Sequence, residues 1–118
     1  MGEFARARSI ADALVAYNPG IRIHFLLHRA APYAANFHHP STLLSASPTL
    51  CTREVVETIE RLRPAVVVFD NAGRTPQLRA AKRVGAAVIY VSSRSRQRYK
   101  AFRLRWMRLI DEHWISYP

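Results

Sequence analysis

Cysteine is nearly absent: Cys51 is the only one in 118 residues. That excludes an internal disulfide framework and fits a reducing compartment. No apolar run approaches the roughly 20 residues that a membrane-spanning helix needs. The opening residues lack a basic segment followed by an apolar one, so no secretion signal is expected in this stretch. Met1-Gly2 is not followed by the Ser or Thr at position six that N-myristoylation favours, because Arg6 stands there. Cytoplasmic placement is therefore the expectation, with peripheral attachment to the inner face of the membrane as its variant. There is no HExxH, no CxxC, no internal repeat and no low-complexity segment. Acidic residues are also scarce: eight Asp plus Glu face eighteen Lys plus Arg, for a net charge of +10. From Ala72 to Ile110 there are eleven basic residues and no acidic one. Such an asymmetry points to a polyanionic neighbour, whether nucleic acid, an anionic membrane surface or a phosphate-bearing substrate.

What is present reads as one domain of ordinary globular composition, 49% hydrophobic and long enough to bury a core. The most legible stretch is Pro64 to Arg74, PAVVVFDNAGR. A short β-branched run between a proline and a polar glycine-containing turn predicts a strand over Ala65–Phe69, buried on both faces. Ligands in parallel sheets gather beyond the carboxyl ends of strands. Asp70, Asn71 and Arg74 are placed there.

Taken in order, Glu3–Tyr17 predicts an amphipathic helix through Phe4, Ala7, Ala11 and Leu14. Asn18-Pro19-Gly20 ends it. Ile21–Leu27 predicts a strand, the segment APYAANFHHP a short helix, and Thr42–Leu44 a short strand. Thr52–Arg63 is a helix capped by Thr52, with Val55, Val56, Ile59 and Leu62 as its buried stripe. Pro76–Val84 is a helix capped by Thr75 and ended by Gly85. Ala86–Val91 is a strand, Ser95–Ile110 a strongly basic helix, and His113–Tyr117 a final strand. The alternation defines an α/β class with a doubly wound parallel sheet. Such a sheet should open on a strand, whereas this chain opens on a helix. A fragment lacking its first strand, poorly stable or self-associating in isolation, is the expectation.

With these elements laid out, the chain resembles the N-terminal, acceptor-side Rossmann-like domain of GT-B-fold glycosyltransferases. Four stretches carry the likeness. Gly2–Leu14 looks like that family's glycine-led first helix. Arg63–Asp70 looks like its R-P-D-V-V-V-x-D strand, with Ala65 where an acidic residue is usual. Gly85–Ser92 looks like its G-I-P-V-V-x-x-S strand, and Asp111–Pro118 like the strand leading toward a second domain. The resemblance implies the acceptor-binding half of a nucleotide-sugar-dependent transferase. A missing C-terminal domain or a partner subunit would bind the nucleotide-sugar donor, and the acceptor would be a glycan or a lipid-linked acceptor. It implies transfer without a metal ion or other cofactor, and no transfer by this segment alone.

The candidate catalytic group is Asp70, as general base or as ligand to an acceptor hydroxyl; a carboxylate capping the next turn is the plainer account. Substrate contacts are expected from Gly2, Arg6, His28, Asn71, Arg74, Ser92, Ser93 and Arg94. The Arg74 guanidinium offers a planar fork to an anion, and the serines adjoin a helix N-terminus that attracts phosphate. Turn chemistry and helix capping explain Asn71, Gly73, Ser93 and Ser95 comparably well. No metal site is expected: His24 and His28 share a strand face and His38-His39 are adjacent, but no acidic residue lies near them in sequence. Cys51 reads as a packing residue. The cations Arg96, Arg98, Lys100, Arg103, Arg105 and Arg108 are suited to an anionic leaflet, at about 1 kcal/mol each, or to plain solvent. The rival readings are a basic nucleic-acid-binding module, against which no recognition-helix or RNA-stacking pattern appears, and a scaffold subunit that needs a separate donor-binding partner.

Overall fold

The computed structural model describes residues 2–32, 38–70, 73–92 and 108–115. Three α-helices and five β-strands occur among them, and every strand pair is parallel. The chain is α/β, with its strands in two small sheets. It divides into two compact units, Met1–Ser47 and Pro48–Pro118.

The first unit holds α1 (Gly2–Tyr17), β1 (Phe25–His28) and β2 (Ser41–Leu44). Asn18 closes α1: its N–H reaches the Leu14 carbonyl at 2.8 Å, and its side-chain oxygen accepts from Gly20 N at 3.2 Å. This is the local bonding that makes asparagine a turn former. β1 and β2 pair from Phe25↔Ser41 to His28↔Leu44. The expected strand over Ile21–Leu27 is cut short at its start. The position beside His24 falls to Pro40, which has no N–H to give, so the ladder begins with Phe25 N donating to the Pro40 carbonyl at 2.9 Å. His24 instead joins the Thr42 hydroxyl, Nε2 to Oγ1, at 2.7 Å. Of the segment APYAANFHHP, where a short helix is expected, residues 33–37 lie outside the described residues, and residues 31, 32 and 38–40 are not helical. Leu27 and Leu44 are buried, but of α1 only Ala11 is, among its described side chains. Leu14, expected on the buried stripe, is 42% exposed.

The second unit holds α2 (Thr52–Leu62), β3 (Val66–Asp70), α3 (Thr75–Arg83), β4 (Ala87–Ser92) and β5 (Glu112–Ile115). Its sheet runs β3-β4-β5. Heptad-like spacing buries Val55, Thr58 and Ile59 of α2, while Leu62 at the end of the expected stripe is 40% exposed. α3 packs on α2 and on β4, burying Gln77, Leu78, Ala80 and Ala81. Full burial of one leucine such as Leu78 is worth about 1.5–3 kcal/mol. Gln77 is a buried polar group with complete partners: Nε2 donates to the Pro48 carbonyl at 2.9 Å and to Thr52 Oγ1 at 3.4 Å. That contact explains why Thr52 does not cap α2. Cys51 occupies the cap position with no side-chain bond, and the Thr52 hydroxyl faces α3.

The start of α3 differs similarly from expectation. Arg74, in extended conformation, is its N-cap, and Thr75 already lies inside the helix. Pro76 sits in the first turn, where its missing N–H costs nothing. At the far end Gly85, φ +82°, completes a Schellman closure: Gly85 N reaches the Lys82 carbonyl at 2.9 Å and Ala86 N the Ala81 carbonyl at 3.0 Å. α2 stops on Arg63, left-handed at φ 46°, directly before Pro64.

β3 is not buried on both faces. Phe69 is buried, but Val66 and Val68 are 48% and 44% exposed. Side chains alternate along a strand, and α3 covers the Phe69 face, where Leu78 and Phe69 both crowd Gly73. β3 is also an edge strand of the described sheet. β5 is held in place by Asp111, whose Oδ2 accepts from Val88 N at 2.6 Å and from the Lys82 ammonium, while Asp111 N reaches the Val88 carbonyl at 2.8 Å. The Lys82 hydrogen bond, followed by the Val88 N–H, holds this carboxyl below its ordinary pKa. Of the basic helix expected over Ser95–Ile110, residues 95–107 lie outside the described residues, and residues 108–110 are not helical but form a turn leading into β5. Among the described residues no helix is long and apolar enough to cross a membrane.

Candidate functional site

Parallel register brings the carboxyl ends of β3, β4 and β5 to one edge of the second unit's sheet, with Asp70 beside Val91 and Ser92 beside Ile115. Asp70, the last residue of β3, is half-buried. The chain then turns through Gly73, whose φ of +133° favours glycine, and where an added Cβ would stand 3.1 Å from Phe69 Cδ1 and 3.3 Å from Leu78 Cδ1. A side chain there meets both backbone strain and a packed wall. Arg74 stands exposed at the start of α3, with its Nε donating to the Thr49 carbonyl at 3.2 Å.

Ser92 ends β4. Its Oγ lies 2.8 Å from His113 Nε2 on β5, and the His113 ring lies 5.5 Å from that of Tyr90, its register partner. An imidazole nitrogen against a serine oxygen is the elementary nucleophile–base pairing. Burial decides against a nucleophile here: Ser92 is only 6% exposed. The contact instead satisfies the hydroxyl and orients the ring at the sheet edge. Sequence reasoning passed over His113. It is 21 positions from Ser92, and only the register of β5 on β4 brings the two together.

Asp70 and Ser92 share the edge but not the face. Asp70 pairs with Val91, and Ser92, the next residue along, projects to the opposite side. Asn71, Ser93, Arg94, Arg96, Arg98, Lys100, Arg103 and Arg105 lie outside the described residues, whereas Arg108 is exposed just before β5. Gly2, Arg6 and His28 belong to the first unit: Gly2 opens α1, Arg6 is half-buried one turn further on, and His28 is half-buried at the end of β1. Comparison with protein-family models, with curated proteins and with solved structures gives no match.

Proposed function

We propose that the chain is the acceptor-binding half of a nucleotide-sugar-dependent glycosyltransferase, built on a Rossmann-like sheet of the GT-B kind and working against an anionic membrane surface. One observation carries the reading: three parallel strands exit on one edge, where Asp70 and Ser92 are the last residues of β3 and β4 and Arg74 leads into α3. In this reading Asp70 accepts a hydrogen bond from the acceptor hydroxyl and draws off its proton as the new glycosidic bond forms and the donor's sugar–phosphate bond breaks, the nucleotide phosphate leaving with the bonding electron pair. Arg74 holds a phosphate or carboxylate of the acceptor by charge-assisted hydrogen bonds. The nucleotide-sugar donor sits on a second domain or a partner subunit, and the net charge of +10 favours lipid-linked acceptors.

Vesicle co-sedimentation tests it, using anionic phospholipid with and without a lipid-linked saccharide. The expected result is tighter binding to the saccharide-bearing vesicles, lost by about tenfold or more in a variant carrying Asp70→Asn with Arg74→Ala, the worth of one or two charge-assisted hydrogen bonds. Equal binding to both vesicles, together with salt-dependent submicromolar binding to RNA or duplex DNA, would overturn it in favour of a nucleic-acid-binding module.

A further inference from the structure

Three ligand-capable side chains converge in the first unit, on residues far apart in the chain. Asp12 lies in α1; His38 and His39 lie just before β2. His39 Nε2 is 2.8 Å and His38 Nε2 3.5 Å from the same oxygen, Asp12 Oδ1. The ligand atoms of all three lie within 4.8 Å of one another. Metal–ligand bonds of about 2.0–2.2 Å in a tetrahedral site separate neighbouring donors by roughly 3.3 Å, a value between the two distances found.

His38 and His39 precede β2, and the chain bends at His39, so the alternation of a strand does not apply to them. Their rings lie side by side, with centroids 4.2 Å apart. Both imidazoles meet the same carboxylate oxygen. His39 is also fixed in position. Its side chain is 9% exposed, and its ring stacks on Phe25 of β1 at 5.4 Å and 26°. Asp12 and His38 are the open side, 48% and 63% exposed.

We propose that Asp12, His38 and His39 bind a divalent transition-metal ion of the zinc class, with a fourth position open to water. Two imidazoles and one carboxylate favour Zn²⁺, Co²⁺ or Ni²⁺ over Mg²⁺ or Ca²⁺, which prefer all-oxygen shells. α1 buries little beyond Ala11 among its described side chains, and the ion ties it to the segment 27 positions on. This site stands apart from the sugar-transfer reading and neither needs nor uses it.

The test is titration of the full chain with Zn²⁺ against a chromophoric competitor, with Co²⁺ as a spectroscopic probe and Mg²⁺ as the contrasting ion. The expected result is one ion per chain, a tetrahedral Co²⁺ spectrum, and a melting midpoint raised by Zn²⁺ but not by Mg²⁺. His38→Gln is the main variant, since that side chain is exposed and its loss spares the fold. It and Asp12→Asn should each weaken binding by at least about tenfold and abolish the shift in midpoint. His24→Gln should leave both unchanged. Absence of saturable binding would overturn the proposal, and so would affinity unchanged in His38→Gln and Asp12→Asn, which places the ion on other groups.

Discussion

The two units are held together by different chemistry. In the second, two helices and three strands bury Phe69, Leu78, Ala80, Ala81, Val88 and Val91 around a satisfied Gln77. In the first, two four-residue strands and one helix bury Ala11, Leu27 and Leu44, and polar contacts carry much of the rest: His24 to Thr42, Asn18 to Gly20, and His38 and His39 to Asp12. Apolar packing is indifferent to pH and metal ions, whereas imidazole–carboxylate contacts respond to both. The contrast teaches where each unit is vulnerable.

The largest expected effect breaks the packed side of this comparison. Leu78→Ala removes a fully buried side chain and should cost about 2–5 kcal/mol, read by urea denaturation as a lower midpoint with loss of dispersed β3 and β4 amide signals. Two glycines sharpen it. Gly73→Ala meets both left-handed strain and the Phe69 and Leu78 side chains, so about 2–3 kcal/mol is expected. Gly85→Ala meets no atom within 4 Å at φ +82° and should cost only about 1 kcal/mol. Equal losses in the two melts would mean that packing against Phe69 contributes nothing. The smallest effect concerns acid. Asp12 and Asp111 both have depressed pKa values, so the stability each adds is full above the ordinary carboxylate pKa of about 3.9. It is lost as pH falls through the lower folded value. Amide shifts followed from pH 5 to pH 2 should therefore move around Asp12 in α1 and at Val88, whose N–H donates to Asp111, while the fully buried Leu78 holds its shift.

The legible parts of the fold were those with a local cause. β-branched runs gave β3 and β4 to within a residue at either end, and Pro76 and Gly85 bracketed α3 because backbone chemistry at those positions acts alone. The caps were misread at Thr52 and Thr75. A hydroxyl in a capping position has competitors, and for Thr52 the Gln77 amide is the partner observed. Leu14 fitted a helical stripe, yet periodicity says only which face is apolar, not that anything covers it. β1 began late because its neighbour contained Pro40, a fact about the partner strand rather than about Ile21–His24. For the candidate edge, Asp70 and Ser92 were readable from strand ends, while His113 was not. The Asp12–His39 contact was invisible for the same reason, since no acidic residue stands near those histidines along the chain.

The one-residue stagger between Asp70 and Ser92 fixes how any molecule must sit if it is to touch both. It cannot lie flat along one side of the strands. It has to wrap around their tips, with one end toward the carboxylate and the other toward the serine–histidine pair.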